Sequence, residues 1–75
     1  TAPAKLVTMA NQITRNLAAE GEARAVPQIA AHIVAFWDPR MRAAIAAHVA
    51  VGGEGLDPLA LKALERVPAP GDARG

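Results

Sequence analysis

His32 and His48 are the only imidazoles in a chain of 75 residues, and they stand sixteen positions apart. Neither has a carboxylate three or four residues away to complete a metal triad on one helical face. A helical projection puts His48 near the middle of an apolar stripe and His32 at the flank of another. Both are therefore read as structural histidines satisfied by hydrogen bonds, not as ligands or acid–base groups. Nucleophiles are equally scarce. There is no Cys, Ser or Tyr, and the only side-chain hydroxyls are Thr1, Thr8 and Thr14, so no nucleophile–base–orienter triad can be drawn. The glycine run GGEG, residues 52–55, lacks the Lys-Ser/Thr of a phosphate loop and follows no strand; it reads as a flexible linker. No catalytic, cofactor-binding or metal-binding residue is assigned, and the chain is not expected to be an enzyme by itself.

Charge and hydropathy narrow the classes further. Eight basic and seven acidic residues leave a formal charge of +1. Without a block of like charge, the electrostatic footprint of a nucleic-acid binder is missing. Arg40 and Arg42 could imitate the start of a recognition helix, but the turn before them is too short and no wider basic patch holds phosphates. No apolar run approaches the ~18 residues of a membrane span, and no charged-then-apolar leader opens the sequence. With no disulfide to form, the expected location is the cytoplasm.

Four helices account for the periodicity. Residues 4–20 carry Leu6, Met9, Ala10, Ile13 and Leu17 on one face, with Thr8, Asn11, Gln12 and Arg15 opposite; Gly21 can close the helix. A second helix is expected from about Arg24 to Trp37, with Pro27 tolerated in its first turn and a stripe of Val26, Ile29, Ala30, Ile33, Phe36 and Trp37. Asp38-Pro39 resets the pattern, because the residue before proline is biased away from helix while Asp caps and Pro opens the next one. The third helix then runs from Pro39 to about Val51, its stripe formed by Met41, Ala44, Ile45, His48 and Val49. Asp57-Pro58 repeats the starting signal, with Leu56 and Leu61 placed as a hydrophobic staple, and the fourth helix ends near Val67. No segment alternates with period two, so the fold expected is all-α: one small domain over residues 4–67 with tight Asp-Pro corners, then a disordered tail over 68–75. Of its 39 hydrophobic residues 19 are Ala, so the core is thin and a partner would help to stabilise it.

HIVAFWDPRMR, residues 32–42, gathers both aromatics beside two arginines at a bend. Corner geometry explains Phe36, Asp38 and Pro39. Trp37, Arg40 and Arg42 have the composition of a protein–protein anchor. Asn11, a weak helix former placed mid-helix beside Gln12 and Arg15, is assigned to a second contact in which its amide meets a partner's backbone. The aliphatics Val7, Val34, Val51 and Leu59 lie off the core stripes and also lean toward a docking surface.

KLVTMANQI (5–13), HIVAFWDPRMRAAI (32–45) and GLDPLALKALE (55–65) resemble, in order and spacing, the delta subunit of cytoplasmic NAD-dependent molybdenum formate dehydrogenases. The similarity runs from Lys5 to about Val67. One departure is that family members often carry two aromatics after MANQI, where this chain has Asn16-Leu17. The resemblance implies a cofactor-free accessory subunit of a complex that oxidises formate to carbon dioxide at a molybdenum bis-pterin guanine dinucleotide, then passes electrons through iron–sulfur clusters and FMN to NAD. Those groups are implied to lie on other subunits. The expected partner is the large molybdenum-containing subunit, with no nucleic acid and no membrane, and the expected contact residues are Asn11, Gln12, Arg15, Trp37, Arg40 and Arg42. Two rival readings stay open: a maturation chaperone that assists cofactor insertion and leaves, and a self-associating regulatory module that forms homo-oligomers when isolated.

Overall fold

The computed structural model describes residues 3–67, so the tail expected over 68–75 lies outside the described residues. Within them four helices follow one another: α1 (Pro3–Leu17), α2 (Glu22–Phe36), α3 (Pro39–Ala50) and α4 (Pro58–Leu64). A single 3-10 turn, Ala18–Glu20, links α1 to α2, and no strand occurs among the described residues. The all-α class expected from the sequence is the class observed.

Helix starts follow the local chemistry closely. Asp38 Oδ1 accepts the Met41 N–H at 2.9 Å and Asp57 Oδ1 accepts the Leu59 N–H at 3.0 Å, each with proline as the first helical residue. Each cap satisfies an N–H that the helix leaves unpaired, worth about 1 kcal/mol. Elsewhere the boundaries moved. α2 begins two residues before the expected Arg24, because Gly21 at φ +89° lets its carbonyl accept from both Arg24 N (3.2 Å) and Ala25 N (2.8 Å). Pro27 consequently sits in the second turn rather than the first, where it supplies no N–H to the Ala23 carbonyl; Ala23 is exposed, so water can take that bond. α4 stops at Leu64, three residues short of expectation, and the chain leaves it through turn bonds from Arg66 N to Ala63 O and Val67 N to Leu64 O.

The core is built where the helices meet. α2 packs most extensively on α4, while α1 touches α2, α3 and α4. Leu6, Ile29, Ile33 and Ile45 are fully buried, and Ala10, Ala25, Ala60 and Ala63 are shut off from solvent beside them, so small residues let the backbones approach. Thr14 is the one buried polar side chain among the described residues, and its hydroxyl donates to the Ala10 carbonyl one turn back at 2.9 Å. The Lys62–Glu22 ion pair joins α4 to the start of α2, but both side chains are more than half exposed and it contributes no more than about 1 kcal/mol.

The corner after α3 is more ordered than a glycine linker. Gly52 at φ +118° follows the helix, Gly52 N donates to Val49 O (3.0 Å) and Gly53 N to His48 O (2.9 Å), a Schellman closure. His48 Nε2 lies 2.7 Å from Glu54 O, so the histidine expected to be structural is tied into this loop. Gly53 is itself buried, and a Cβ there would fall 2.8 Å from Leu61 Cδ1 and 3.4 Å from Leu56 Cδ1. Both leucines of the expected staple thus close over the glycine. The flexible corner read from GGEG is in fact clamped.

Candidate functional site

Asp38-Pro39 decides how the two aromatics are shared between core and solvent. α2 ends at Phe36, and Trp37 turns to extended backbone (φ −91°, ψ 135°) while its N–H still donates to Ile33 O at 2.9 Å. Trp37 drops into the core with 5% of its surface exposed; Phe36 remains 74% exposed. The sequence reading had these roles the other way round, with Phe36 closing the apolar face and Trp37 free to anchor a partner. On a helical projection the two residues flank the stripe about equally, since each step turns about 100°. The extended residue required before the Asp-Pro start breaks that symmetry and carries the indole inward. Phe36 instead leans on His32, one turn earlier, with ring centroids 4.6 Å apart and planes inclined at 37°.

Beside Phe36 the surface opens into a groove of about 400 Å³ between α1, α2 and α3. Met9, Ile13, Phe36, Met41 and the edge of Trp37 supply apolar lining. Gln12 and Asn16 on α1 and His32 on α2 add polar groups to the wall. Met41 comes from the first turn of α3, with Arg40 and Arg42 on either side of it in sequence. Arg40 is exposed. Arg42 is half-buried, and its Nε is covered by the protein with no acceptor in reach.

Of the six residues expected to bind a partner, Gln12 and Trp37 border this one groove, although they had been assigned to separate contacts. Arg40 and Arg42 flank groove-lining Met41 in sequence and are not among the residues that line the groove. Arg15 is exposed on α1, between groove-lining Ile13 and Asn16 in sequence. Asn11 does something else. Its Nδ2 donates to Gly55 O at 2.9 Å and its Oδ1 accepts Asp57 N at 2.8 Å, so its amide meets the chain's own backbone 44 and 46 residues away. That contact pins the loop leading into α4 and commits one N–H and the carbonyl oxygen of the amide to the chain itself. Val7 and Leu59 also fold inward, half-buried against the core, whereas Val34 (45%) and Val51 (83%) stay exposed. Phe36, Met9, Ile13 and Met41 were assigned to the core stripes, so the groove was not foreseen as a site. The His32–Phe36 spacing of one helical turn was the available signal for it.

A second depression of about 290 Å³ lies between the start of α2 and the end of α4. Glu22 and Glu65 oppose Lys62 and Arg66 in its wall, so it favours neither sign of charge. Among the described residues no three His, Cys, Asp or Glu side chains come together as a metal site, and no helix is long and apolar enough to cross a membrane. The donor set of this chain, which has no Cys, does not fit an iron–sulfur cluster.

Comparison with known proteins agrees with the resemblance seen in the motifs. Neither a search of curated proteins nor one of solved structures gives a match. The family model described as NADH-dependent formate dehydrogenase delta subunit FdsD matches residues 5–64, which takes in α2, α3, α4, all of α1 but its first two residues, and the whole groove. The chain belongs to the family of NADH-dependent formate dehydrogenase delta subunits.

Proposed function

We propose that this chain is a non-catalytic accessory subunit that docks on the large molybdenum-containing subunit of a cytoplasmic formate dehydrogenase and stabilises the assembly. The observation that carries the reading is Phe36, three-quarters exposed at the lip of an apolar groove in a molecule whose core is short of large side chains. Leaving such a ring in water forgoes about 1.5–3 kcal/mol that burial would return. A partner that covers it recovers that free energy, and with it the stability a thin core lacks. Formate oxidation, the molybdenum pterin, the clusters, FMN and NAD belong to other subunits in this reading; the chain contributes a shaped surface.

Affinity purification through a tag on this chain tests the proposal. A stable subunit brings down the large subunit in constant ratio with formate-dependent NAD reduction. Recovery only with large subunit that lacks molybdenum would overturn it in favour of a maturation chaperone. Recovery of nothing but further copies of the chain would favour a self-associating module.

A further inference from the structure

Resting on the docking role just proposed, we infer that Met9 and Met41 form an oxidative modification site: a hydroperoxide converts their thioethers to sulfoxides in the undocked chain, and the oxidised chain no longer seats on its partner. The chain holds two methionines and no cysteine, so these two side chains carry all of its sulfur. They come from different helices, Met9 from α1 and Met41 from the first turn of α3, yet both line the groove beside Phe36. Each is half-buried, packed against the core and, along the groove, within reach of a small dissolved oxidant.

Peroxides select sulfur among protein side chains, and the thiolate is ordinarily the first to react. With no thiol present, nothing intercepts the oxidant ahead of the two thioethers. The indole of Trp37 borders the same groove but is shielded, with 5% of its surface exposed. In the reaction a sulfur lone pair attacks one peroxide oxygen. The S–O bond forms as the O–O bond breaks; the departing oxygen keeps the bonding pair and takes the proton from the oxygen transferred. Sulfur gives up two electrons, the peroxide accepts them, and the products are a sulfoxide and water or an alcohol.

Oxidation turns a flexible apolar side chain into a polar one. In the free chain the new oxygen is hydrated from the open groove, so the fold is kept. Docking strips that water away, and a sulfoxide shut in without a donor weakens binding by about tenfold or more. The coupling runs both ways. Thioethers covered by a partner are out of the oxidant's reach, so peroxide acts on chains before assembly and spares those already assembled. Because the rest of the chain contains no sulfur, the modification falls on the docking groove alone.

The test treats the full-length chain with hydrogen peroxide, removes the excess with catalase, and adds the chain to formate dehydrogenase purified from cells that lack it. Peptide mass spectrometry should find an added oxygen on both Met9 and Met41 of the free chain, and little on either when the same dose follows assembly. Oxidised wild type should bind about tenfold or more weakly than untreated, and methionine sulfoxide reductases A and B with a dithiol should restore the affinity. In the double variant Met9→Leu, Met41→Leu, which nearly conserves volume, peroxide should leave the dissociation constant where it stood before treatment. The reductase rescue needs no variant, so it decides the matter even if that chain folds poorly. Full conversion of both methionines with binding undiminished would overturn the inference and leave the docking role standing. So would methionines that resist a dose sufficient for free methionine, a double variant weakened by peroxide as much as wild type, or an oxidised chain shown by circular dichroism to have unfolded. Failure of untreated wild type to bind would sink the docking role and this inference together.

Discussion

Asn11→Ala is expected to destabilise the chain itself. The side chain makes two hydrogen bonds to the loop before α4, from Nδ2 to Gly55 O at 2.9 Å and from Asp57 N to Oδ1 at 2.8 Å. Each such bond contributes about 1 kcal/mol net, and the half-buried position lets water replace only part of it. Against that loss of about 2 kcal/mol stands a gain of roughly 0.6 kcal/mol from putting Ala in place of Asn inside a helix. The balance is a destabilisation of about 1–1.5 kcal/mol. For a domain of this size that lowers Tm by roughly 5–10 °C. Urea unfolding followed by the fluorescence of Trp37, the single indole and a buried one, reads the change directly. Gln12→Ala is the control. Gln12 is one residue along the same helix, exposed, and has no hydrogen bond to the loop, so its loss should change stability by no more than about 0.5 kcal/mol. If Asn11→Ala proved as stable as Gln12→Ala, the clamp between α1 and the α4 loop would carry no energy and the internal role of Asn11 would be refuted.

Trp37→Ala should cost about 3–5 kcal/mol as a large buried aromatic is removed, while Phe36→Ser stays within about 0.5 kcal/mol of wild type; the same urea titration, read by circular dichroism, separates them. Gly53→Ala combines a left-handed residue at φ +65° with a methyl 2.8 Å from Leu61 Cδ1, for a loss of about 2–4 kcal/mol. In a Leu61→Ala background only the backbone part, about 1–2 kcal/mol, should remain, which a double-mutant cycle measures. Asp38→Ala removes the bond to Met41 N and should lower stability by about 1 kcal/mol, visible as a fall in Tm of about 4–8 °C.

Features decided by neighbours in sequence were legible from the sequence; those decided by distant residues were not. Both Asp-Pro starts could be read because cap, proline and first turn lie within four residues. The stripes of α1 and α2 located Leu6, Ala10, Ile29 and Ile33 in the core for the same reason. The internal bonds of Asn11 were not legible because its bonding partners lie 44 and 46 positions downstream, where no periodicity reports them. GGEG looked loose for a related reason, since what restrains it is His48, Asn11 and the staple leucines rather than its own composition. Phe36 and Trp37 exchanged roles because a helical projection cannot describe a residue that has left the helix. The arginines were identified from their types at a bend, and their lack of an ion-pair partner became visible only in three dimensions.

The central claim is that the face bearing Phe36 is the one a partner covers. Photo-crosslinking tests it most directly, with a photoreactive amino acid placed at position 36 in one variant and at position 51 in another, each assembled into the formate dehydrogenase complex. Both sites are exposed in the chain alone, at 74% and 83%. A covalent adduct with the large subunit is expected from position 36 and none from position 51. An adduct from position 51 alone, or a position 36 that reacts only with water in the assembled complex, would contradict it.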